Sequence, residues 1–347
     1  MRMRPLGQTD MSITPVGFGT WAVGGGGWAF GWGPQDDHES IAALRLAVQS
    51  GVNWVDTAAT YGLGHSEEIV RQALSDFPEA DRPYVFTKCG LIWDDGDPMK
   101  PAEHIARPDT IRREVDASLR RLGVERIDLY QVHFPSEDGT PFEDTWSAML
   151  DLKAQGKIRA AGVSNYDVVQ LNASALIARV DTLQPPFSAI SRTAAADVIP
   201  WVESREVGVI VYSPMHSGLL TGRWSAQRTA SLPDGDDWRK HDPEFNGERL
   251  LHNLEVANAM GEVRARHGVS AAAATVAWTL SWPGVTGAIV GGRRPGQIDG
   301  WLPGGEITLT NRDLDEIEAV IERTGAGHGP KRPRAEPTDV PAGNRPR

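Results

Sequence analysis

The stretch NWVDTAATYG, residues 53–62, is a short apolar run that ends on the carboxylate of Asp56, passes small side chains, and presents the phenol of Tyr61 before Gly62. It reads as a strand followed by a turn. Outward from it, strand-like and helix-like segments take turns. PVGFGTWA (15–22) precedes HESIAALRLAVQSG (38–51), which has helical spacing and a glycine stop. HSEEIVRQAL (65–74) follows the quoted stretch, with His65 or Ser66 placed to cap it and glutamates suited to a helix N-terminus. Next come YVFTKCG (84–90), a helix over 109–122, IDLYQVHF (127–134) and a helix over 141–156. IRAAGVSN (158–165), TLQPPFS (182–188), VGVIVYSP (207–214) and TGAIVGG (286–292) bring the strand candidates to eight. Eight βα units closing on themselves give an α/β fold, the (β/α)8 TIM barrel, whose chemistry sits at the C-terminal ends of the strands.

Composition agrees with that size of core. A chain of 347 residues with 40% hydrophobic content buries enough surface for such a barrel as one domain, expected over 1–325. The segment 326–347 carries five Lys/Arg against two Asp/Glu, with recurrent proline and glycine and no apolar period, and reads as a disordered tail. The net charge of −11 argues against nucleic acid as a partner. The start MRMRPLGQTD has no apolar signal core, and no run approaches the roughly 18 apolar residues of a membrane span, so a cytoplasmic protein is expected. Cys89 is the only cysteine, which excludes an internal disulfide and a thiolate metal cage. No metal site is expected.

Read as a list, the strand ends offer Thr20 and Trp21, Asp56, Lys88, His133, Ser164 and Asn165, Gln184, Tyr212 and Ser213, and Gly291 and Arg293. A glycosidase needs two facing carboxylates and a metal hydrolase several ligands, whereas Asp56 is the one acid here. One phenol, one lysine, one aspartate and one histidine suit proton delivery to a carbonyl oxygen instead. A tyrosine titrates at about 10, and a neighbouring ammonium makes it a better acid. Lys88 supplies that charge, Asp56 holds the ammonium, and His133 hydrogen-bonds the oxygen as it becomes an alkoxide.

Together, DTAATYG, FTKCG, YQVH, GVSN and VYSPMHSGLLTG resemble the aldo-keto reductase superfamily, in order from about residue 4 to residue 323. The resemblance implies a nicotinamide dinucleotide, NADPH more than NADH, lying across the barrel top and passing a hydride to an aldehyde or ketone. Asp56, Tyr61, Lys88 and His133 match the catalytic four, with Tyr61 as general acid. Ser164, Asn165 and Gln184 match the groups that hold the carboxamide, and Tyr212 the aromatic that stacks on the nicotinamide. Ser213, Pro214, Met215 and onward to Leu219 resemble the pyrophosphate loop, with Thr20 and Trp21 also at the cofactor. In IVGGRRPGQIDGW, Gly291, Arg293 and Gln297 match the adenosine segment, and Arg293 offers a bidentate donor for a 2′-phosphate. Where the family often has Glu-Asn, this chain has Gly300 and Trp301.

Each residue has a plainer reading when taken alone. Asp56 is also a good turn opener, and an isolated histidine such as His133 is more often a core residue than a catalytic one. Lys88 resists that treatment, because lysines ending an apolar run are seldom buried without a partner. GGGGWAFGWG (24–33) lacks the order of a phosphate loop and reads as a loop over the substrate. Trp21, Trp28, Trp32, Trp93 and Phe134 are the expected pocket for a hydrophobic or aromatic carbonyl. Cys89, on the strand face opposite Lys88, is expected to pack inertly. The rival reading is a cofactor-loaded regulatory or redox-sensing subunit with incidental turnover.

Overall fold

Each of the eight expected strands is present, and they close into an all-parallel barrel in chain order. They are β1 Val16–Gly19, β2 Trp54–Asp56, β3 Tyr84–Cys89, β4 Ile127–Val132, β5 Ile158–Ser164, β6 Thr182–Gln184, β7 Gly208–Val211 and β8 Gly287–Gly291, with β8 pairing back to β1. The computed structural model describes residues 1–232 and 237–333. Outside the strands lie α1 Asp37–Gln49, α2 His65–Leu74, α3 Pro108–Leu122, α4 Phe142–Ala154, α5 Val168–Ile177, α6 Val198–Glu203, α7 Gly247–His267, α8 Ala271–Leu280 and α9 Asn311–Thr324. Covered on both faces, the strands are buried almost throughout, which is why they read as continuous apolar runs. Among the described residues no helix is long and apolar enough to cross a membrane.

The barrel interior divides in two. Toward the strand starts, Trp54, Phe86, Leu129, Ile210 and Ile289 pack with Leu6, Met11 and Ile13 of an N-terminal hairpin, Arg4–Pro5 against Ser12–Ile13. Two-residue strands leave no periodicity, and the sequence reading did not contain this plug. Trp54 fills the space that Gly17 vacates: a Cβ on Gly17 would lie 2.2 Å from the indole. The indole Nε1 donates to Thr14 O at 2.9 Å, so the ring has no easy retreat.

Two expectations need correction. Neither His65 nor Ser66 caps α2; Gly64, at φ 103°, occupies the cap position. Ser66 instead faces inward, its Oγ donating to Thr20 Oγ1 at 2.7 Å and lying 3.0 Å from Thr57 Oγ1, which ties α2 to the ends of β1 and β2. The chain also stays packed beyond residue 325. Arg192, 1% exposed, donates from Nε to Pro330 O at 2.9 Å and from Nη2 to Ala326 O at 3.1 Å, and its backbone N–H donates to His328 O at 3.0 Å. Ala326 is buried and Arg332 pairs with Asp315. The expectation of disorder from 326 therefore fails for 326–333, because carbonyls far away in sequence satisfy a buried guanidinium. The remainder, 334–347, lies outside the described residues.

Gly17→Ala should lower the free energy of urea unfolding by about 1–3 kcal/mol, the range for forcing a methyl into a filled core. An unchanged midpoint would show that Trp54 moves freely. Ending the chain after Gly325 should cost about 1–3 kcal/mol by stripping acceptors from Arg192. Ending it after Pro333 keeps those acceptors, and thermal melts of the two truncations should differ accordingly.

Candidate active site

Strand alternation and register bring polar groups together at the C-terminal ends of neighbouring strands. Lys88 on β3 stands beside Gln131 on β4, and Ser164 on β5 beside Gln184 on β6. Lys88 is 1% exposed and Asp56 2%. The ammonium donates to Asp56 Oδ1 at 2.6 Å, to Thr57 O at 2.9 Å and to Tyr61 Oη at 3.3 Å. Burial pulls the Lys88 pKa down, but Asp56 and Tyr61 outweigh it, and the net direction is up. The lysine is therefore held as a cation.

Tyr61 sits where it does because the chain turns sharply after β2. Gly62 takes φ 58° and approaches Gly24 so closely that a Cβ would lie 2.2 Å from Gly24 O. Burial raises the pKa of the phenol above the ordinary tyrosine value; Lys88 pulls it back and Asp56 adds to the rise. The sequence expectation that Lys88 alone would make the phenol more acidic is thus outweighed by desolvation. His133 meets the Tyr61 ring edge-on at 5.7 Å, and burial, with the charge of Lys88, holds its pKa well below the usual imidazole value. A neutral imidazole is a hydrogen-bond donor without being an acid of its own. Cys89 points away from Lys88 into the core, as expected, its Sγ 3.6 Å from Gln131 O.

From Tyr61 a cleft of about 410 Å³ runs outward past Thr20, Trp21, Tyr212 and Gly291 to Gly300 and Trp301. Ser213, Pro214, Met215 and Gln297 line it as expected, whereas the Leu219 side chain is buried in the core. Ser213, His216 and Ser217 take positive φ, and Gly218 follows at 94°, an irregular turn on the cleft wall. Five arginines, at 223, 228, 239, 293 and 294, line the same cleft, which suits an extended, multiply charged anion. Ser164, Asn165, Gln184 and Tyr212 form one hydrogen-bonded group: Tyr212 Oη donates to Asn165 Oδ1 at 2.8 Å, and Ser164 Oγ to Gln184 O at 2.8 Å. Asn165 stands at φ 63°, its Nδ2 donating to His133 O at 2.9 Å.

Other sequence assignments also land differently. The Arg293 guanidinium donates from Nε to Gln35 at 2.6 Å, from Nη1 to Trp32 O at 3.1 Å, and from Nη2 to Pro34 O, so it clamps the loop after β1. Trp93 is not part of the cleft wall; its Nε1 donates to Asp95 within its own loop. Trp28, 6.5 Å from Tyr61 but buried, and Phe134, stacked on His133 at 5.3 Å, also stand off the cleft wall, whereas Trp21, 6.3 Å from Tyr61, and Trp32 line it. Trp32 meets Trp21 edge-on at 5.5 Å. Sequence reading missed Trp238, which stacks on Trp21 at 6.0 Å, and Gln131; the second was legible as a polar residue on the inward face of β4.

The sequence matches the Aldo/keto reductase family over residues 15–322. It is 35% identical over 325 residues to the aldo-keto reductase YhdN of Bacillus subtilis (strain 168), covering 93% of this chain and 95% of that protein. It is 31% identical over 335 residues to the NADH-specific methylglyoxal reductase of Escherichia coli (strain K12), covering 93% of this chain and all of the relative. The fold matches the glycerol dehydrogenase AKR11B4 from Gluconobacter oxydans with a TM-score of 0.84 at 34% identity, covering 98% of this chain and 99% of that one. A family match across nearly the whole barrel, joined to a buried Asp56–Lys88 pair against Tyr61, identifies the chain as a member of the aldo/keto reductase family of nicotinamide-dependent carbonyl oxidoreductases.

Proposed function

We propose that this protein reduces an aldehyde or ketone with NADPH, with Tyr61 as the general acid, Lys88 and Asp56 supporting it, and His133 orienting the carbonyl oxygen. The observation that carries the reading is the Lys88 ammonium, enclosed between the Asp56 carboxylate and the Tyr61 hydroxyl. The bound dinucleotide supplies the hydride. Tyr61 gives its proton to the carbonyl oxygen, and the Lys88 charge stabilises the phenolate that remains. His133, neutral, donates a hydrogen bond to the same oxygen. Ser164, Asn165 and Gln184 are assigned to the carboxamide and Tyr212 to the nicotinamide face, in keeping with their place beside the cleft. The indoles of Trp21 and Trp32 on the cleft wall favour an apolar or aromatic carbonyl.

Cofactor choice turns on a local cation for the 2′-phosphate, and a relative is named as NADH-specific. With the Arg293 guanidinium engaged by the loop after β1, the exposed Arg294 on the cleft wall is the better candidate.

Tyr61→Phe should lower turnover by about 10²-fold or more while NADPH binding, read by fluorescence, stays near wild type. Retained activity would move the acid role elsewhere. Because burial holds the Tyr61 phenol above the ordinary tyrosine range and the His133 imidazole well below the ordinary histidine range, the acid stays protonated and the imidazole neutral at intermediate pH. The reduction rate should therefore run flat between about pH 7 and 9, and an inflection there would assign proton transfer to another group.

Arg294→Ala should weaken NADPH by about one to two powers of ten, the worth of charged hydrogen bonds to a phosphate, and leave NADH within a few-fold. Arg293→Ala should weaken both cofactors alike by loosening the loop it clamps. Equal losses of NADPH and NADH in Arg294→Ala would remove the case for NADPH.

A further inference from the structure

Gln131 is a fully buried amide on β4, in register with Lys88 on one side and Gly162 on the other. Its Oε1 lies 3.3 Å from Gln184 Nε2. That same nitrogen donates to Asp56 Oδ2 at 2.8 Å, while Asp56 Oδ1 accepts from Lys88 at 2.6 Å. An amide nitrogen carries two hydrogens. Both of those on Gln184 have acceptors, one on Asp56 and one on Gln131, so the amide is held against rotation with its carbonyl oxygen left over. The space is kept by Gly162, where a Cβ would lie 3.1 Å from Gln131 Cγ and 2.1 Å from Thr182 Oγ1.

We propose that Gln131 is a positioning residue for the reaction: acting through Gln184, it fixes the plane of the Asp56 carboxylate and so the place of the Lys88 ammonium against Tyr61. The inference rests on the assignment of Asp56, Lys88 and Tyr61 made above. A carboxylate gripped at one oxygen can swing about its Cβ–Cγ bond. Gripped at Oδ1 by Lys88 and at Oδ2 by Gln184, it cannot do so without breaking a charge-assisted bond in a site from which water is excluded, where such bonds are strongest. The same arrangement leaves the Gln184 oxygen, and not its nitrogen, to meet a cofactor amide. Gln131 touches no reacting atom and works only at one remove.

The test compares variants at Gln131, alone and in an Asp56→Asn background, with NADPH and one aldehyde substrate. Gln131→Met, close in shape but without the acceptor, should lower kcat about tenfold, a part of what a charged hydrogen bond contributes, with KM and NADPH affinity within about threefold of wild type. Gln131→Glu, neutral when buried and still offering a carbonyl oxygen, should keep kcat within about threefold. In an Asp56→Asn background, Gln131→Met should add less than a further twofold loss, roughly the non-additivity expected of residues acting in one chain. Wild-type kcat in Gln131→Met, equal slowing by Gln131→Glu, or a full tenfold loss in the Asp56→Asn background would each overturn the proposal, because packing alone would then account for the residue. Should Gln131→Met fail to fold, Gln131→Leu takes its place under the same criteria: it must be slow where Gln131→Glu is fast, and must add less than about a twofold loss in the Asp56→Asn background. Tyr61→Phe is the separate arm, since activity there would sink the underlying assignment and not the relay.

Discussion

The ion pair of Lys88 with Asp56 is the constraint around which the upper barrel is arranged. Either charge alone in that position would suffer a desolvation cost that a folded domain cannot easily absorb. The pair is tolerated because the remaining hydrogen-bonding capacity is also met: Thr57 O accepts from the ammonium, and Gln184 donates to the free carboxylate oxygen. That requirement sets the register of β2 and β3 against each other and brings β6 to the same point across the barrel. The phenol of Tyr61 completes the ammonium's surroundings, so the group proposed to react also belongs to the charge's solvation.

Below this polar layer the interior is apolar, and the boundary is sharp. Trp54 lies two residues from Asp56 on the same strand, filling the volume that Gly17 leaves, with the N-terminal hairpin beneath it. A large rigid ring at the base and a charged pair at the top share one short strand, which leaves little freedom to shift either. The loops follow from the strand ends. Ser66 joins Thr20 and Thr57, and the close approach of Gly62 to Gly24 sets the turn that carries Tyr61. Over the cleft, Trp21 from the first loop stacks on Trp238 from the seventh at an interplanar angle of 5°.

The eight strands were legible because burial on both faces makes each an apolar run bounded by turn residues, and period-two alternation then named which side chain stands inside at each strand end. Asp56, Lys88 and the neighbouring Gln184 meet as that alternation requires. What escaped the sequence has a common character. The N-terminal hairpin is too short to carry a period; the Gly64 cap of α2 depends on how the chain enters it; Arg192, besides the nearby Ala189 O, finds acceptors at Ala326 and Pro330, more than a hundred residues away. Arg293 looked like an anion donor by its position in the chain, but its guanidinium reaches the loop after β1 first.

By itself, then, the sequence determined the barrel, the order of its strands and the identity of the polar groups at their ends, because strand periodicity and the burial of apolar runs are local properties written in consecutive residues. Only the tertiary structure decided which of those groups touch, which arginine is already engaged, and which way burial moves the Tyr61 phenol against the pull of Lys88. Those outcomes depend on distances between residues far apart in the chain and on how much water the closed barrel excludes, and neither quantity is carried by any one stretch of sequence.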